Sequence, residues 1–527
     1  MAWRRAAVVL ACAACTSAAA QAAGTLTVCI ESAPEGMDVV QFETGVTINA
    51  AGVTLFDQLL SMAPGTADLR PGLAERWETS ADGLTLTLHL RRGVAFHTTP
   101  WFKPTRTLNA VDVVYSLERL RDKAHPAHAI SSSGYVYWQG VGLQTLVRDT
   151  TKVDDHTVRI RLFRPDASFV STLTMPSIGS IYPAEYIQAL LARGEGAKLN
   201  SQPVGSGPFV FRSMQQGAVV RFDAHKAHWA GAPTIDRLVL AITPDTAVRA
   251  QKLKTGECQV GGVPRTEAAG IEADPALKLL RYQPIQTTYL FVNTEKPGLG
   301  DVRTRQALRL AIDYKAVLQA AFAGDAVATA NLLPPAVAGH DPSLQPTTDL
   351  ARAAELIKAS GGPGRELSLF IIGAANVRRS AEVLQADWAR LGVKVNIRTM
   401  DLGELYRRTS QGEHDLAIAS WTGDNGDADN FLGPLTSCAA VKSGGNKAYL
   451  CDPALDALIE DGRRTTDPKG RAAIYRKASA RVHELSGLIP YAHAAGRIVL
   501  SRRVEGYVAS PLGIEDYSRV TVKDAAR

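Results

Sequence analysis

The sequence predicts an α/β protein of two or more domains. Three observations predict it. The chain has 527 residues, beyond the roughly 250–300 at which a single hydrophobic core stops growing. Stretches with helical spacing of apolar residues run straight into stretches that alternate, a helix-then-strand order typical of α/β folds. Its composition, 46% hydrophobic and 21% charged, is that of an ordinary globular chain.

The N-terminus reads as an exported leader rather than as part of the fold. Arg4 and Arg5 precede an apolar run from Ala6 to Cys15, and Ala20-Gln21-Ala22 offers a small-residue cleavage site. Residues 1–22 are therefore expected to be a signal peptide. The run is too short to span a membrane as a mature helix. A lipid anchor on Cys12 or Cys15 is the weaker alternative. Removing the leader takes two arginines and no acid, so the net charge of +6 falls to about +4. With no basic tract, that charge gives no reason to expect nucleic acid as a partner.

"TLTVCI" at Thr25–Ile30 alternates like a strand, and "LTLTLHL" after Gly83 places Leu84, Leu86, Leu88 and Leu90 on one face. "LNAVDVVYSLERLRD" predicts a helix capped by Asn109, with Val113, Val114, Leu117 and Leu120 as its apolar stripe. "DHTVRIRLFRP" is another strand, ended by Pro165. "GSGPF" at Gly205–Phe209 lacks the helix-opening context of a phosphate loop and reads as a turn where backbones pack closely. "DVRTRQALRLAID" predicts a helix. So does "RSAEVLQADWARLG", with Leu384, Trp388 and Leu391 on one face and Gly392 as its stop, followed at once by the strand "VKVNIRTM". No low-complexity linker is present, so the domain crossings are expected to be short and strand-like, near Gln283–Asn293 and His493–Ser501.

Beyond the leader lie Cys29, Cys258, Cys438 and Cys451. Export makes disulfides plausible, and four cysteines allow three pairings, among which sequence does not choose. A zinc site is the rival, but no C-x-x-C or nearby histidine pair supports it.

Catalytic signals are sparse. The chain has no G-x-S-x-G, H-E-x-x-H or Walker motif, and His125 and His128 flank Pro126 in an expected loop. The most unusual stretch is "SWTGDNGDADNF", which sets Asp424, Asp427 and Asp429 behind Trp421. Asp427 and Asp429 have the alternate spacing of a calcium loop without its terminal glutamate. An acid/base pair would need a nucleophile that nothing signals. A solvated acidic turn and a clamp for a cationic ligand remain.

Several stretches in order are similar to those of the family-5 extracellular solute-binding proteins of peptide ABC transporters. They include "PGLAERWETSADGLTLTLHLRRGVAFH", "FKPTRTLNAVDVVYSLER", "PVGSGPF", "GECQV", "DVRTRQALRLAID", "AEVLQADWARLGVKV", "WTGDNGDADNF" and "GLIPYAH". "TPWFKPTR" and "SCAA" are as similar to the Sap type as to the dipeptide type. The resemblance implies a type II periplasmic-binding-protein fold, with two α/β lobes joined by two hinge strands and a subdomain inserted in the first. The expected limits are 23–285 for the first lobe, with the insertion at about 56–200, then 286–497 for the second lobe and 498–527 for the return. It implies the bridges Cys29–Cys258 and Cys438–Cys451. It also implies a monomeric periplasmic receptor, not an enzyme and without cofactor, that hands short peptides to inner-membrane ABC permease subunits. Asp424 would pair with the peptide α-ammonium group. Glu43, Thr44 and Gly45 on one lobe and Trp421, Thr422 and Gly423 on the other would hold its main chain, and Tyr135, Tyr137 and Trp138 would wall a side-chain pocket. The loop before "AEVLQADW" is shorter than in dipeptide-binding relatives and lacks their carboxylate-binding arginine, for which Arg378 or Arg379 are the substitutes. That departure keeps other cargo open: haem, glutathione, a polyamine or a cationic antimicrobial peptide. A secreted metal-dependent enzyme is the remaining alternative, and no ligand cluster in the sequence supports it.

Overall fold

A computed structural model describes residues 24–443 and 445–523. The expected leader, with Cys12 and Cys15, lies outside the described residues. Two large mixed sheets organise the chain. The first has seven strands in the order Leu277–Tyr282, Gly496–Ser501, Val260–Gly261, Thr25–Ile30, Arg237–Ile242, Val219–Ala224, Phe209–Gln215. The second has six, in the order Ala326–Ala328, Leu488–Ala494, Gln286–Val292, Leu416–Thr422, Leu367–Ile372, Val395–Met400. A four-stranded antiparallel sheet (Ala74–Thr79, Thr85–Leu90, Thr157–Leu162, Val147–Asp154) is formed by chain lying between the strands Thr25–Ile30 and Phe209–Gln215 of the first sheet.

The periodicities behind these elements are visible in their burial. Leu86, Leu88 and Leu90 are buried while Thr85, Thr87 and His89 are only partly so. The helix Ala110–Arg121 opens on a reciprocal cap. Asn109 Oδ1 accepts from Val111 N–H at 2.9 Å, and Asp112 accepts from Asn109 N–H at 3.0 Å. In the helix Ala375–Ala389, Leu384 and Trp388 are buried and Gly392 takes the left-handed conformation that stops it. Gly205 and Gly207 are dictated by contact. A Cβ on Gly205 would lie 2.0 Å from the carbonyl oxygen of Leu55, the last residue of the helix Gly45–Leu55. The "GSGPF" turn therefore fixes the far end of a helix whose first residue is one of the expected ligand contacts.

The chain passes from the first sheet to the second through residues 283–285 and returns at Ala495. Beside the return, Asp325 forms an ion pair with Arg497, on the strand Gly496–Ser501 of the first sheet, and is flanked by Arg281 at 3.4 Å and Arg265 at 3.7 Å, both from the first lobe. Each sheet has its own apolar core. A third core lies where the lobes meet, joining Ile285, Phe431 and Leu512 with Trp421, Met62 and Ile514 against it. The disulfides are Cys29–Cys258, which ties the first strand to a segment 229 residues away, and Cys438–Cys451, as the resemblance implies.

Candidate ligand-binding site

The strand Leu416–Thr422 delivers the acidic loop to the seam between the lobes. Gly423 N–H donates to the Ile285 carbonyl at 2.8 Å. Only glycine fits there, since a Cβ would come within 2.8 Å of the Phe431 ring and 3.0 Å of Ile285. Asn430 then fixes the next residue from both ends. Its Oδ1 accepts from Asp424 N–H at 2.9 Å and from Trp421 Nε1–H at 3.3 Å, and its Nδ2 donates to Asp424 Oδ2 at 3.1 Å. The indole of Trp421 is thus tied to the carboxylate beside it, and the ring packs on the central core.

The three loop aspartates differ in what faces them. Arg471 binds Asp427 through two nitrogens, at 2.5 and 2.8 Å, and Asp427 also accepts from Asp429 N–H at 2.8 Å. Arg463 binds Asp429 at 2.8 and 3.2 Å. Asp424 has no lysine, arginine or histidine within ion-pair distance among the described residues. Its Oδ1 accepts only a long hydrogen bond, 3.4 Å, from the hydroxyl of Tyr137 on the opposite lobe. The carboxylate keeps a little exposed surface, but protein encloses it on most sides. Burial pushes its pKa up to about 6, opposed by the bonds from Asn430 and Tyr137 and aided by the nearby charge of Glu43. Burial drives the Tyr137 phenol far up as well, with Asp424 and Glu43 adding to it. At Asp429 burial also raises the carboxyl to about 6, but Arg463 opposes that rise and its own pKa is driven upward. Asp424 lacks such a counter-charge.

The other expected contacts divide into two groups. Glu43, Thr44 and Gly45 are exposed at the start of the helix Gly45–Leu55, where a Cβ on Gly45 would meet open space. Thr44 Oγ1 donates to Glu35 at 2.6 Å. Burial and then the charge of Glu35 raise the pKa of Glu43. Thr422 is exposed at the end of its strand, 3.2 Å from Gln286. Glu43, Tyr137, Trp421, Thr422, Gly423 and Asp424 therefore gather at one seam. Trp138 is buried in the core of the first lobe, as is Tyr135, whose hydroxyl accepts from Arg119 Nε–H at 3.0 Å. Arg378 and Arg379 are exposed on the first turn of Ala375–Ala389. The Arg378 guanidinium donates to Thr399 at 3.1 Å and lies 3.7 Å from Glu382. No contact joins either arginine to Asp424 or Tyr137 among the described residues. Asn430 is the residue that sequence reasoning missed, although its place six residues after Asp424 in a turn-rich loop was a usable signal. No group of three or more His, Cys, Asp or Glu is placed to hold a metal among the described residues, and no helix there is long and apolar enough to cross a membrane.

Comparison with known proteins places this arrangement in a family. The chain is 44% identical over 522 residues to di/tripeptide-binding protein 4 of Pseudomonas aeruginosa (strain UCBPP-PA14), covering 98% of each chain. It is 38% identical over 515 residues to heme-binding protein A of Haemophilus influenzae, covering 96% of this chain and 94% of the relative. Among solved structures it superposes on the dipeptide-binding protein of Pseudoalteromonas sp. SM9913 in complex with Met-Leu, with a TM-score of 0.82 and 32% identity, covering 95% of this chain and 100% of that one. Residues 68–443 match the family described as bacterial extracellular solute-binding proteins, family 5 Middle. The protein belongs to the family-5 extracellular solute-binding proteins and has their two-lobed type II periplasmic-binding fold.

Proposed function

We propose that the protein is the periplasmic receptor of an ABC transporter, binding short peptides between its lobes and presenting them to inner-membrane permease subunits. The lobes in this reading are residues 23–285 with 498–527, and residues 286–497, with the subdomain inserted at about 56–200. The carrying observation is Asp424, a largely enclosed carboxylate at the seam that faces Tyr137 and Glu43 and no cation. An enclosed anion is stabilised when a cation joins it inside the same low-dielectric space. The α-ammonium group of a peptide supplies that cation. Glu43 adds a second negative charge, and the exposed residues Thr44, Gly45 and Thr422, with Trp421 and Gly423 beside them, are where main-chain contacts that ignore side-chain identity would form. Ligand then favours the shut form, because it touches both lobes only there. The role is binding without catalysis, carried out by a monomer. Relatives named for di/tripeptides and a dipeptide complex of the same fold support the peptide reading.

The relative named for haem has a similar overall likeness, and a shared scaffold does not by itself fix cargo. Titration separates the two. Dipeptides should raise the melting temperature and give saturable heat in calorimetry, while haem should produce no Soret band beyond that of free haem. A saturable Soret band without any peptide response would replace the peptide reading.

A further inference from the structure

Glu515 lies in the C-terminal return, where buried carboxylates elsewhere in the chain suggest what it should have and does not. Asp38, Asp112 and Asp415 each hold an arginine. Glu515 is 7% exposed, yet among the described residues it has no lysine, arginine or histidine within ion-pair distance. Its Oε2 accepts from the Tyr507 hydroxyl at 2.5 Å. Its Oε1 accepts from no described residue and is not among the buried polar atoms sealed away from solvent. Its charge reaches the phenols of Tyr282, Tyr507 and Tyr517, the last of which also lies in the field of Glu31 and Asp516. The Tyr507 and Tyr517 rings lie 6.4 Å apart, and the Tyr282 ring lies against the hinge-side backbone, 2.4 Å from where a Gly496 Cβ would be. A carboxylate beside aromatic rings, with no cation of its own, is the chemistry that receives an ammonium or guanidinium group.

Glu515 adjoins the candidate site. Glu515 N–H donates to Asn49 Oδ1 at 2.9 Å. Asn49 is one turn from Gly45 on the same face of the helix Gly45–Leu55, about 6 Å along its axis. The segment before Glu515 packs Leu512 and Ile514 on the core that also holds Trp421. Pro511 accepts from Ile285 N–H at 2.7 Å, and Ile285 in turn accepts from Gly423 N–H at 2.8 Å.

We propose that Glu515, Tyr282, Tyr507 and Tyr517 form a second cation subsite of the cleft, which takes the side chain of a lysine or arginine in a bound peptide. The subsite rests on the peptide reading above. It makes the receptor selective for peptides with two positive charges, one at Asp424 and one at Glu515.

Calorimetry at pH 7.5 tests this with four probes: Lys-Ala, Ala-Lys and their norleucine counterparts, which keep the chain length and lack the charge. Wild type should bind one lysine peptide on the order of 10- to 100-fold more tightly than its norleucine twin. Glu515→Gln should erase that preference and leave the norleucine affinity within about threefold. Tyr282→Leu, a check should the first variant fold poorly, should shrink the preference several-fold. Equal affinity for lysine and norleucine peptides in wild type, or a preference that survives in Glu515→Gln, overturns the subsite while leaving the peptide reading intact. Absence of binding by all four peptides to wild type overturns the peptide reading itself and the subsite with it.

Discussion

Asp38 and Asp424 are both withdrawn from solvent, and they are opposites in what surrounds them. Asp38 is 0% exposed and meets Arg119, itself 1% exposed, through both guanidinium nitrogens; Tyr135 and Tyr182 lie beside the pair. The first lobe supplies charge and counter-charge together. Asp424 meets an amide, a phenol and a second acid. Asp427 and Asp429, three and five residues further on, are completed by Arg471 and Arg463. A buried carboxylate with its own cation holds the fold. One without it stores unfavourable desolvation that a charged ligand relieves. In the proposed reading, the structural pairs and the candidate site differ by whether the chain or the ligand brings the positive charge.

That contrast breaks most severely at Arg119. Arg119→Leu strands Asp38 without a partner and should lower stability by roughly 3–5 kcal/mol, read as a lower denaturant midpoint. Arg463→Gln should cost less, about 2–3 kcal/mol, because the pair keeps some contact with water. A loss of similar size is expected from Asp325→Asn, which leaves Arg497, Arg281 and Arg265 facing one another beside the hinge.

Asp424→Asn should do the reverse. The folded-state pKa of about 6 stands above the ordinary 3.8, so the folded protein holds that proton more tightly than the unfolded chain does. Wild type therefore loses stability as pH rises from about 4 to about 6, and the full loss persists above that window. The variant should be more stable than unliganded wild type at pH 7.5 by roughly 1–3 kcal/mol, with the gain vanishing below about pH 4, while peptide affinity collapses. An Asp424→Asn protein that is less stable at pH 7.5 would put Asp424 with the structural pairs.

The smallest effect is on pH dependence. An arriving ammonium group needs the ionised carboxylate, so peptide affinity should weaken as pH falls below about 6, with protons released on binding between about pH 4 and 6. Calorimetry in buffers of different ionisation heat reads that release directly.

Local chemistry was legible in the sequence, and long-range pairing was not. The alternation at Thr25–Ile30 and Thr85–Leu90, and the Asn109 cap, need only neighbours in the chain, and they match the structure. The bridges and the W-x-G-D stretch were legible through family resemblance rather than through periodicity. What escaped was the set of partners that decides each aspartate's character. Arg463 and Arg471 lie 34 and 44 residues beyond the carboxylates they bind, and Asn49 lies 466 residues before Glu515. Nothing in the apolar stripe of its helix marks Arg119 for burial, and its partner Asp38 lies 81 residues away. No spacing rule within a helix or strand encodes such pairs, so sequence could name Asp424 without showing that it alone in its loop lacks a cation.

The central claim is that Asp424 receives the positively charged end of a peptide. Calorimetric titration of one dipeptide and its N-acetylated twin, at pH 7.5 on the same preparation, tests it most directly. The account predicts that acetylation, which removes only the ammonium charge, weakens binding on the order of 100- to 1000-fold. Equal affinity for the two peptides would contradict it.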